Sequence, residues 1–300
     1  MRVGIYLNTQ QAALDGLVER AAAAEQAGLA SAFVSQLTGW DAAALAALVG
    51  SRVGRIEVGT AVIPTYPRHP LTLAGQAMTT QAAIGGRFTL GIGPGHRPLV
   101  EGQFGVSGDA LAAHTREYLG VLRSLLRGEP VEHRGPTLTA VGQVDVPGAS
   151  EPGVLVSALG PRMLRVAGEL ADGTVTVWTV PDAVDKHIRP ILDDAAAEAG
   201  RPRPRIVAGV LVGVTADPDT LCESIDERFH AATELPNYHA HLQRQGLSRM
   251  SETAIVGDEE HVARQLRRYA EAGVTDLLAS SIGDVETRTW DVLAAAHADD

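Results

Sequence analysis

Short apolar runs alternate with amphipathic stretches from the first residues of the chain. Residues 3–7 form a mostly apolar run, and the stretch 12–27 places its larger apolar side chains on one face of a helix. Gly28 follows that stretch, in the position where helices commonly end on a glycine. The same order of helix, Ala-Gly pair and β-branched run recurs before 206–214 and 274–279. This recurrence predicts a repeating unit of one helix and one strand.

Eight runs predict strands, with helical stretches between them and after the last one. They lie near residues 3–8, 30–35, 56–63, 88–92, 153–158, 174–178, 205–214 and 274–280. In a chain of 300 residues, this order predicts an α/β fold of the TIM-barrel type, a (β/α)8 barrel. A doubly wound open sheet uses the same units and stays the alternative. Because no Ser/Gly-rich linker separates two halves, we expect one domain over residues 1–300.

Two connections are too long for simple crossovers and predict insertions after strands 4 and 7, over 93–152 and 215–273. The first contains the turn-rich sequence GEPVEHRGPTLTAVGQVDVPGASEP, which favours a small hairpin. The second contains helical pieces around ELPNYHAHLQRQG. Long insertions in a compact domain are usually lids or binding loops, so we expect them to determine which substrate is bound.

Charge and composition exclude several classes of function. The formal net charge of −11 argues against nucleic-acid binding, which needs a basic face. No apolar run reaches the length of about 18 residues that a membrane span needs. The histidines lack the H-E-x-x-H spacing of a zinc site, so we expect no metal. Lys186, the only lysine, falls in a predicted helix rather than at a strand end, which argues against Schiff-base catalysis.

Two further features are typical of a cytoplasmic protein. The first residues, MRVGIYLN, enter an apolar run at once and predict a strand rather than a signal peptide. Cys222 is the only cysteine, so no disulfide within the chain can form. A reducing compartment fits that usage. We expect Cys222 to be a partly buried residue in a helix.

In a (β/α)8 barrel, active sites lie where strands end and the following loops begin. After strand 4 the chain reads GIGPGH, where Gly93 and Gly95 allow a ligand to approach the backbone. The third glycine of a dinucleotide fingerprint would fall on His96, and Pro94 removes an amide donor, so a Rossmann site is disfavoured. A loop that faces a cofactor and a plain tight turn both remain open.

The sequence ALGPRML after strand 5 predicts a helix N-terminus that can bind an anion. Gly160 tolerates an unusual backbone conformation, and Pro161 suits the first helical turn. The amides of Arg162 and Met163 would then point out of the helix toward a phosphate, and the Arg162 guanidinium adds charge. Ala158 precedes this turn. An ordinary helix start is the alternative, and a cofactor-free barrel enzyme for phosphorylated substrates would use the same feature.

Three other places are candidates for binding, each with a structural alternative. His114 and Tyr118 are spaced four residues apart on a helix and therefore share a face, from which they would reach a phosphate or a ring edge. Trp178, at the end of strand 6, would pack a ring system or fill the barrel mouth. Strand 3 leaves through a segment with three prolines, GTAVIPTYPRHP, which predicts either a rigid, irregular exit or a solvated turn.

The segment IEVGTAVIPTYPRHPLTLAGQAMTTQAAIGGRFTLGIGPGH resembles the central block of luciferase-like flavin monooxygenases and their deazaflavin-dependent relatives. VLVSALGPRMLRVAGELADGTVTVW and GDEEHVARQLRRYAEAGVTDLLAS are similar to the same group, so the resemblance covers almost the whole chain. It implies an irregular strand 3 with a non-proline cis peptide near Thr60, Ala61 and Val62, against the cofactor ring. It also implies that residues 160–163 hold the cofactor phosphate and that 93–96 line the pocket. His114 and Tyr118 fit, more weakly, an H-x-x-x-Y pattern of some flavin-binding members.

The subgroup that the chain resembles most uses coenzyme F420, a 5-deazaflavin. This resemblance implies an oxidoreductase that transfers hydride between F420 and a small organic substrate, and a homodimer. His96 is the candidate acid/base because it lies beside the cofactor loop and titrates near neutral pH. Ser35 and Gln36, at the exit of strand 2, are candidates for ring contacts. An FMN-dependent monooxygenase supplied by a separate reductase, and a flavin-binding barrel without catalysis, stay as alternatives.

Overall fold

The computed structural model of the protein describes residues 1–10, 12–36, 38–282 and 286–298. Within these ranges the strands are β1 (Arg2–Leu7), β2 (Ser31–Val34), β3 (Glu57–Thr60), β4 (Ile63–Pro64), β5 (Phe88–Gly93), β6 (Val131–Arg134), β7 (Thr139–Gly142), β8 (Gly153–Ser157), β9 (Gly173–Val177), β10 (Arg205–Val214), β11 (Ile255–Gly257) and β12 (Asp276–Ser281).

A closed parallel barrel forms the centre of the described residues. The strands pair in the order β1, β2, β3, β5, β8, β9, β10 and β12, and β12 pairs with β1 to close the ring. All of these pairings are parallel, so every strand ends at the same rim. This confirms the predicted (β/α)8 barrel and each of its eight strands, and it excludes the open sheet.

Helices follow the barrel strands. Within the described ranges they are α1 (Leu14–Gln26), α2 (Ala42–Gly50), α3 (Pro70–Ala83), α4 (Arg97–Phe104), α5 (Leu111–Leu126), α6 (Pro161–Leu170), α7 (Pro181–Ala183), α8 (Arg189–Glu198), α9 (Pro218–Thr233), α10 (Pro236–Arg244), α11 (Glu259–Glu271) and α12 (Glu286–Ala298). A π-helical turn, Val184–Ile188, joins α7 to α8, and a 3-10 turn covers Ser251–Thr253.

The three Ala-Gly junctions end helices as predicted. Gly28, Gly200 and Gly273 follow α1, α8 and α11 with φ values of +84°, +66° and +98°. These angles lie in the left-handed region, which glycine adopts without a steric penalty. The junctions therefore turn each helix back toward its next strand.

The two long connections contain additional elements. Between β5 and β8 lie α4, α5 and the antiparallel β6–β7 hairpin, so the predicted hairpin is confirmed. Between β10 and β12 lie α9, α10, the short strand β11 and α11. α10 is the helical piece that the sequence predicted around ELPNYHAHLQRQG. Cys222 lies in α9 and is partly buried, as expected.

Side chains fill the barrel interior beneath the rim. Phe33, Leu155, Val175, Val207 and Leu278 form a buried cluster contributed by five of the barrel strands. The larger apolar cluster lies outside this one and includes residues of the surrounding helices and of the strands. Because these side chains fill the interior, we expect a ligand to bind at the ends of the strands. The single domain over 1–300 stays a prediction.

Candidate active site

An irregular segment interrupts the third barrel strand at the rim. β3 ends at Thr60, β4 begins at Ile63, and the peptide bond between Ala61 and Val62 is cis, at the position that the family resemblance implied. The Ala61 N–H donates to the Val34 carbonyl at 2.7 Å, and the Gln36 N–H donates to the Val62 carbonyl at 3.3 Å. These bonds tie the segment to the end of β2, so Ala61 and Val62 occupy defined positions at the mouth.

Glycines in β5 make room for this segment. A Cβ added to Gly91 would lie 1.9 Å from the Thr60 carbonyl oxygen, and one added to Gly93 would lie 2.8 Å from Val62 Cγ2. Thr60 is fully buried, and its Oγ1 donates to the Gly91 carbonyl at 2.8 Å and accepts from the Gly91 N–H at 2.9 Å. The Thr60 side chain therefore holds the irregular segment Ala61–Val62, which we call the bulge, against β5. Both hydrogen bonds of its hydroxyl are made with Gly91.

Tyr6 forms the floor of the mouth together with Ala61 and Val62. All three are partly exposed and pack on the interior cluster from above. The Tyr6 hydroxyl donates to the Ala61 carbonyl at 3.3 Å. Burial raises the pKa of Tyr6, and a hydrogen bond with Ser35 only partly offsets that effect. The floor formed by these three residues is therefore uncharged and mostly apolar, and the Tyr6 phenol is its polar group.

The N-terminus of α6 lies at the end of β8, as the sequence predicted. Gly160 is its N-cap, Pro161 begins the helix, and no side chain caps it. Among the described residues, the backbone N–H groups of Arg162 and Met163 have no acceptor. A Cβ added to Gly160 would meet nothing within 4 Å, so space is open there. The site has the unpaired donors and positive helix end that bind an anion.

Two arginines are near this helix end. The Arg162 side chain is exposed on its first turn, and Arg244, at the end of α10, donates to the Leu159 carbonyl at 3.4 Å. Ala158 and Met163 are buried beneath the turn. The cationic groups thus lie at the outer part of the turn, where a solvated anionic tail would lie.

Aromatic rings from two strand ends and from the insertion helices pack together at the rim. The Tyr238 ring of α10 lies between two of the predicted residues, with its centroid 4.5 Å from that of His96 and 4.3 Å from that of Trp178. Trp178 also packs edge-on against Phe229 at 5.8 Å. Burial lowers the pKa of His96, so its imidazole is neutral near pH 7. Tyr238 thus brings His96 and Trp178, which come from different strand ends, into one group.

Hydrogen bonds to the end of β9 hold α10 in this place. Gln245 donates to the Trp178 carbonyl at 3.0 Å and accepts from the Val180 N–H at 2.8 Å. The His241 ring nitrogen Nε2 lies 2.9 Å from Thr179 Oγ1. Burial, helped by the charge of the nearby arginine on α10, lowers the pKa of His241 to about 4, so it is neutral at pH 7.

His114 and Tyr118 share one face of α5, as predicted, but lie beside the strand 3 exit. His114 Nε2 is 3.1 Å from Thr65 Oγ1, and its ring stacks on Tyr66 at 4.0 Å. The Tyr118 hydroxyl donates to the Arg68 carbonyl at 2.8 Å. Both side chains are buried and hold the proline-rich exit in place. Their contact with a cofactor stays a prediction.

Gln36 also forms two hydrogen bonds within the protein. Its side-chain Oε1 accepts from the Ala42 N–H at 2.8 Å, at the start of α2, while its backbone bonds the bulge. The side chain therefore supports the helix start, and a ring contact by Gln36 stays a prediction. Gly95 has a φ of +76°, which turns the loop so that His96 is the N-cap of α4.

Adjacent strand ends connect the bulge to the helix N-terminus. Gly93 lies between Val62 and Ser157, since a Cβ added to it would be 2.8 Å from the first side chain and 3.1 Å from the second. Ser157 ends β8, directly before Ala158 and α6. The bulge, Gly93 and the end of the strand that leads into α6 therefore lie side by side at the rim.

Comparisons with known proteins agree with this architecture. The sequence profile of luciferase-like monooxygenases matches residues 1–276. The chain belongs to the luciferase-like monooxygenase family. This family membership confirms the resemblance that the strand 3 and strand 4 segments indicated.

Proteins similar to this chain include some that are named as F420-dependent enzymes. A Mycobacterium tuberculosis (strain ATCC 25618 / H37Rv) protein provisionally named coenzyme F420-dependent oxidoreductase is 28% identical, over 88% of this chain and 90% of its own. An F420-dependent glucose-6-phosphate dehydrogenase of Nocardia farcinica (strain IFM 10152) is 27% identical, over 97% and 95%. The solved structure of an F420-dependent secondary alcohol dehydrogenase with an F420-acetone adduct has a TM-score of 0.82 at 18% identity, covering 98% of this chain and 97% of that one. The last likeness shows the fold.

The described residues contain neither a membrane-spanning helix nor a cluster of metal ligands. None of their helices has both the length and the apolar character needed to cross a membrane. No group of three or more His, Cys, Asp or Glu side chains within the same ranges is arranged to hold a metal ion.

The sequence analysis missed three residues of the mouth. Tyr6 had a signal, because alternation in β1 sends Val3, Ile5 and Leu7 to one side and Tyr6 to the barrel interior. Tyr238 and Arg244 had no positional signal, because they lie in an insertion whose packing the sequence pattern does not fix.

Proposed function

We propose that the protein is an oxidoreductase that binds coenzyme F420 at the strand-end rim and uses it to oxidise or reduce a small organic substrate. One observation carries this proposal: the bulge at Ala61–Val62 and the uncapped N-terminus of α6 lie on the ends of the two strands that flank β5, with Gly93 between them. The relatives named for F420 use, at 27–28% identity, support the choice of cofactor.

The residues present fit this cofactor. The amides of Arg162 and Met163, with the side chains of Arg162 and Arg244, would hold the phosphate of its tail. Ala61 and Val62 offer an apolar wall for the ring, and the missing Cβ of Gly93 lets that wall sit close to β5. The backbone groups among these are already in place, so arranging them on binding costs little entropy.

F420, when bound, supplies hydride exchange. The chain itself would bind, orient and exclude water. The neutral His96 imidazole can accept the proton that an alcohol hydroxyl loses on oxidation, and in the other direction its protonated form returns a proton to a carbonyl oxygen. Tyr6, which donates to the Ala61 carbonyl, has a hydroxyl at the mouth that can orient a substrate oxygen.

The alternatives use the same site. FMN also has a phosphate, and would make the protein a monooxygenase supplied by a separate reductase. A barrel that only stores the cofactor would bind it without turnover, and a cofactor-free enzyme would bind a phosphorylated substrate at α6. Titration of the purified protein with F420, FMN and glucose 6-phosphate, followed by fluorescence and thermal shift, separates these cases. We expect saturable F420 binding and no FMN binding; binding of FMN alone, or of neither, contradicts the proposal.

A matched pair of variants tests the anion site. Arg162→Ala should weaken F420 binding about three- to tenfold, since a partly solvated charged contact contributes about 1 kcal/mol. Arg165→Ala is the control, because Arg165 lies on the same helix, is 58% exposed and only approaches Glu198 at 3.9 Å. Equal effects of the two substitutions would show that general charge, and not the helix end, attracts the tail.

A homodimer and a cytoplasmic location are part of the same proposal. Light scattering of the purified protein tests the first, and a monomer at micromolar concentration would contradict it. Fractionation of the source cells tests the second.

A further inference from the structure

Tyr238, Trp178, Phe229 and His96 form one group of rings over the barrel mouth, which we call the aromatic roof. Its ring centroids are separated by 4.3 Å (Tyr238–Trp178), 4.5 Å (Tyr238–His96) and 5.8 Å (Trp178–Phe229). Such distances and the tilted or edge-on geometries are those of favourable aromatic pairs. The rings therefore hold one another in a defined arrangement.

The support behind the roof is apolar. Leu211, Ile225 and Met250 form a buried cluster distinct from the main core, and Trp178 and Phe229 pack against it. This cluster joins the end of β10 to α9 of the long insertion. The substrate side of the mouth is thus built on a separate hydrophobic unit, supplied largely by the insertion.

The titratable rings that face the mouth are neutral at pH 7. Burial raises the pKa of Tyr6 and raises that of Tyr238 to about 12, and the other influences on them are Ser35 and the phenol of Tyr6. Burial alone lowers the pKa of His96. Tyr6, Tyr238 and His96 therefore present uncharged groups to the mouth. Arg228 lies over the Phe229 ring at 5.5 Å and is exposed to solvent.

Two cationic groups of the site belong to the α6 turn. Arg162 and Arg244 are at the α6 turn, where the proposed cofactor tail would occupy the free amides. A phosphate on the substrate would then meet the uncharged rings of the roof, and burying it there without a partner is costly.

We propose, on the basis of the F420 function above, that the substrate is an uncharged alcohol or carbonyl compound whose apolar part packs against Tyr238 and Trp178. A phosphorylated sugar, which the glucose-6-phosphate dehydrogenases among the relatives use by name, does not fit this mouth. Tyr238 is a specificity-determining residue in this view, and its ring, more than its hydroxyl, makes the contact.

The test uses the F420-loaded protein and calorimetric titration with acetophenone, cyclohexanone and glucose 6-phosphate. Saturable binding of the two ketones without binding of glucose 6-phosphate is expected. Binding of glucose 6-phosphate in preference to the ketones, or binding of none of the three probes, overturns the inference. F420 affinity is measured first, so a failure of the proposed function appears as lost cofactor binding and is distinct from a failure of this inference.

Three variants locate the contact. Tyr238→Ala should weaken acetophenone binding about tenfold, because a ring contact contributes about 1 kcal/mol or more. Tyr238→Phe keeps the ring and should stay within about twofold of the wild type by the same reasoning. His239→Ala is the control, since His239 is the exposed neighbour on α10 and its ring bonds Gln243 at 2.9 Å.

The comparison of probes on the unmodified protein needs no variant, so misfolding of Tyr238→Ala cannot leave the question open. If Tyr238→Ala folds by circular dichroism, binds F420 normally and binds acetophenone as the wild type does, the aromatic roof does not contact the substrate.

Discussion

A cluster of charged residues where the barrel strands begin, at the end opposite the candidate site, gives the sharpest prediction about stability. Arg205 donates to Glu57 Oε1 at 3.0 Å and to Asp276 Oδ1 at 2.8 Å, and Arg2 donates to Glu57 Oε2 at 2.6 Å. The carboxyl side chains are 14% and 4% exposed and that of Arg205 is 28% exposed. These residues come from β1, β3, β10 and β12, so the cluster ties together strands that are distant in the chain.

Replacement of Arg205 by methionine keeps much of the apolar stem and removes the charge. It leaves Glu57 and Asp276 with Arg2, which is 43% exposed, as the remaining cationic partner that the described residues show. Breaking a buried pair costs about 3–5 kcal/mol, and because Arg2 remains we expect about 3 kcal/mol. Arg203→Met is the matched control: Arg203 is 61% exposed and 3.5 Å from Asp193, so its loss should cost less than about 1 kcal/mol.

Equilibrium urea unfolding at pH 7 measures both variants. If Arg205→Met destabilises the protein no more than Arg203→Met does, the cluster contributes nothing specific and the reasoning is wrong. A pH series adds a second check. Burial raises the pKa of Glu57, but the two arginines outweigh it and the net pKa is lowered below 4.5. The stabilisation is therefore complete above that value and is lost as the pH falls through the lowered pKa. The difference between wild type and Arg205→Met should narrow in that range.

Three other predictions concern the site and its supports. Gly93→Ala should weaken F420 binding in a fluorescence titration, because the added carbon would lie 2.8 Å from Val62 Cγ2 and would displace the Val62 side chain. Unchanged affinity would mean that the cofactor does not contact the bulge. Tyr118→Phe removes the 2.8 Å bond to the Arg68 carbonyl and should cost about 1 kcal/mol in urea unfolding; no loss would mean that water replaces the hydroxyl. His241 has a pKa lowered to about 4 in the folded state, so its contribution to stability is complete above the ordinary value of 6.5 and is lost as the pH falls toward 4. His241→Gln should have a flatter stability profile over that range, and an equally steep one would contradict the assignment.

The barrel could be predicted because its signals are local and repeated. Helix ends at Gly28, Gly200 and Gly273 require left-handed backbone angles that glycine supplies, and buried parallel strands read as short apolar runs. The uncapped α6 start was equally local, because Gly160 and Pro161 are adjacent in sequence. Because parallel strands all end at one rim, candidate residues that follow different strands were expected to lie at the same end of the barrel.

The remaining parts of the site depend on contacts that no local pattern encodes. Tyr238 meets His96 and Trp178 only because α10 docks on the end of β9 through Gln245. Tyr118 had the expected helical face, yet its hydroxyl pairs with a carbonyl of the proline-rich exit. Side-chain partners of this kind are chosen by tertiary packing, whereas periodicity fixes only the face of the element on which a residue lies.

A crystal structure of the protein with F420 tests the central claim most directly. We expect the deazaflavin ring to lie against Ala61 and Val62, and a phosphate oxygen to lie about 3 Å from the backbone nitrogens of Arg162 and Met163. Density for the ring at another place, or a phosphate bound away from the start of α6, would contradict the account.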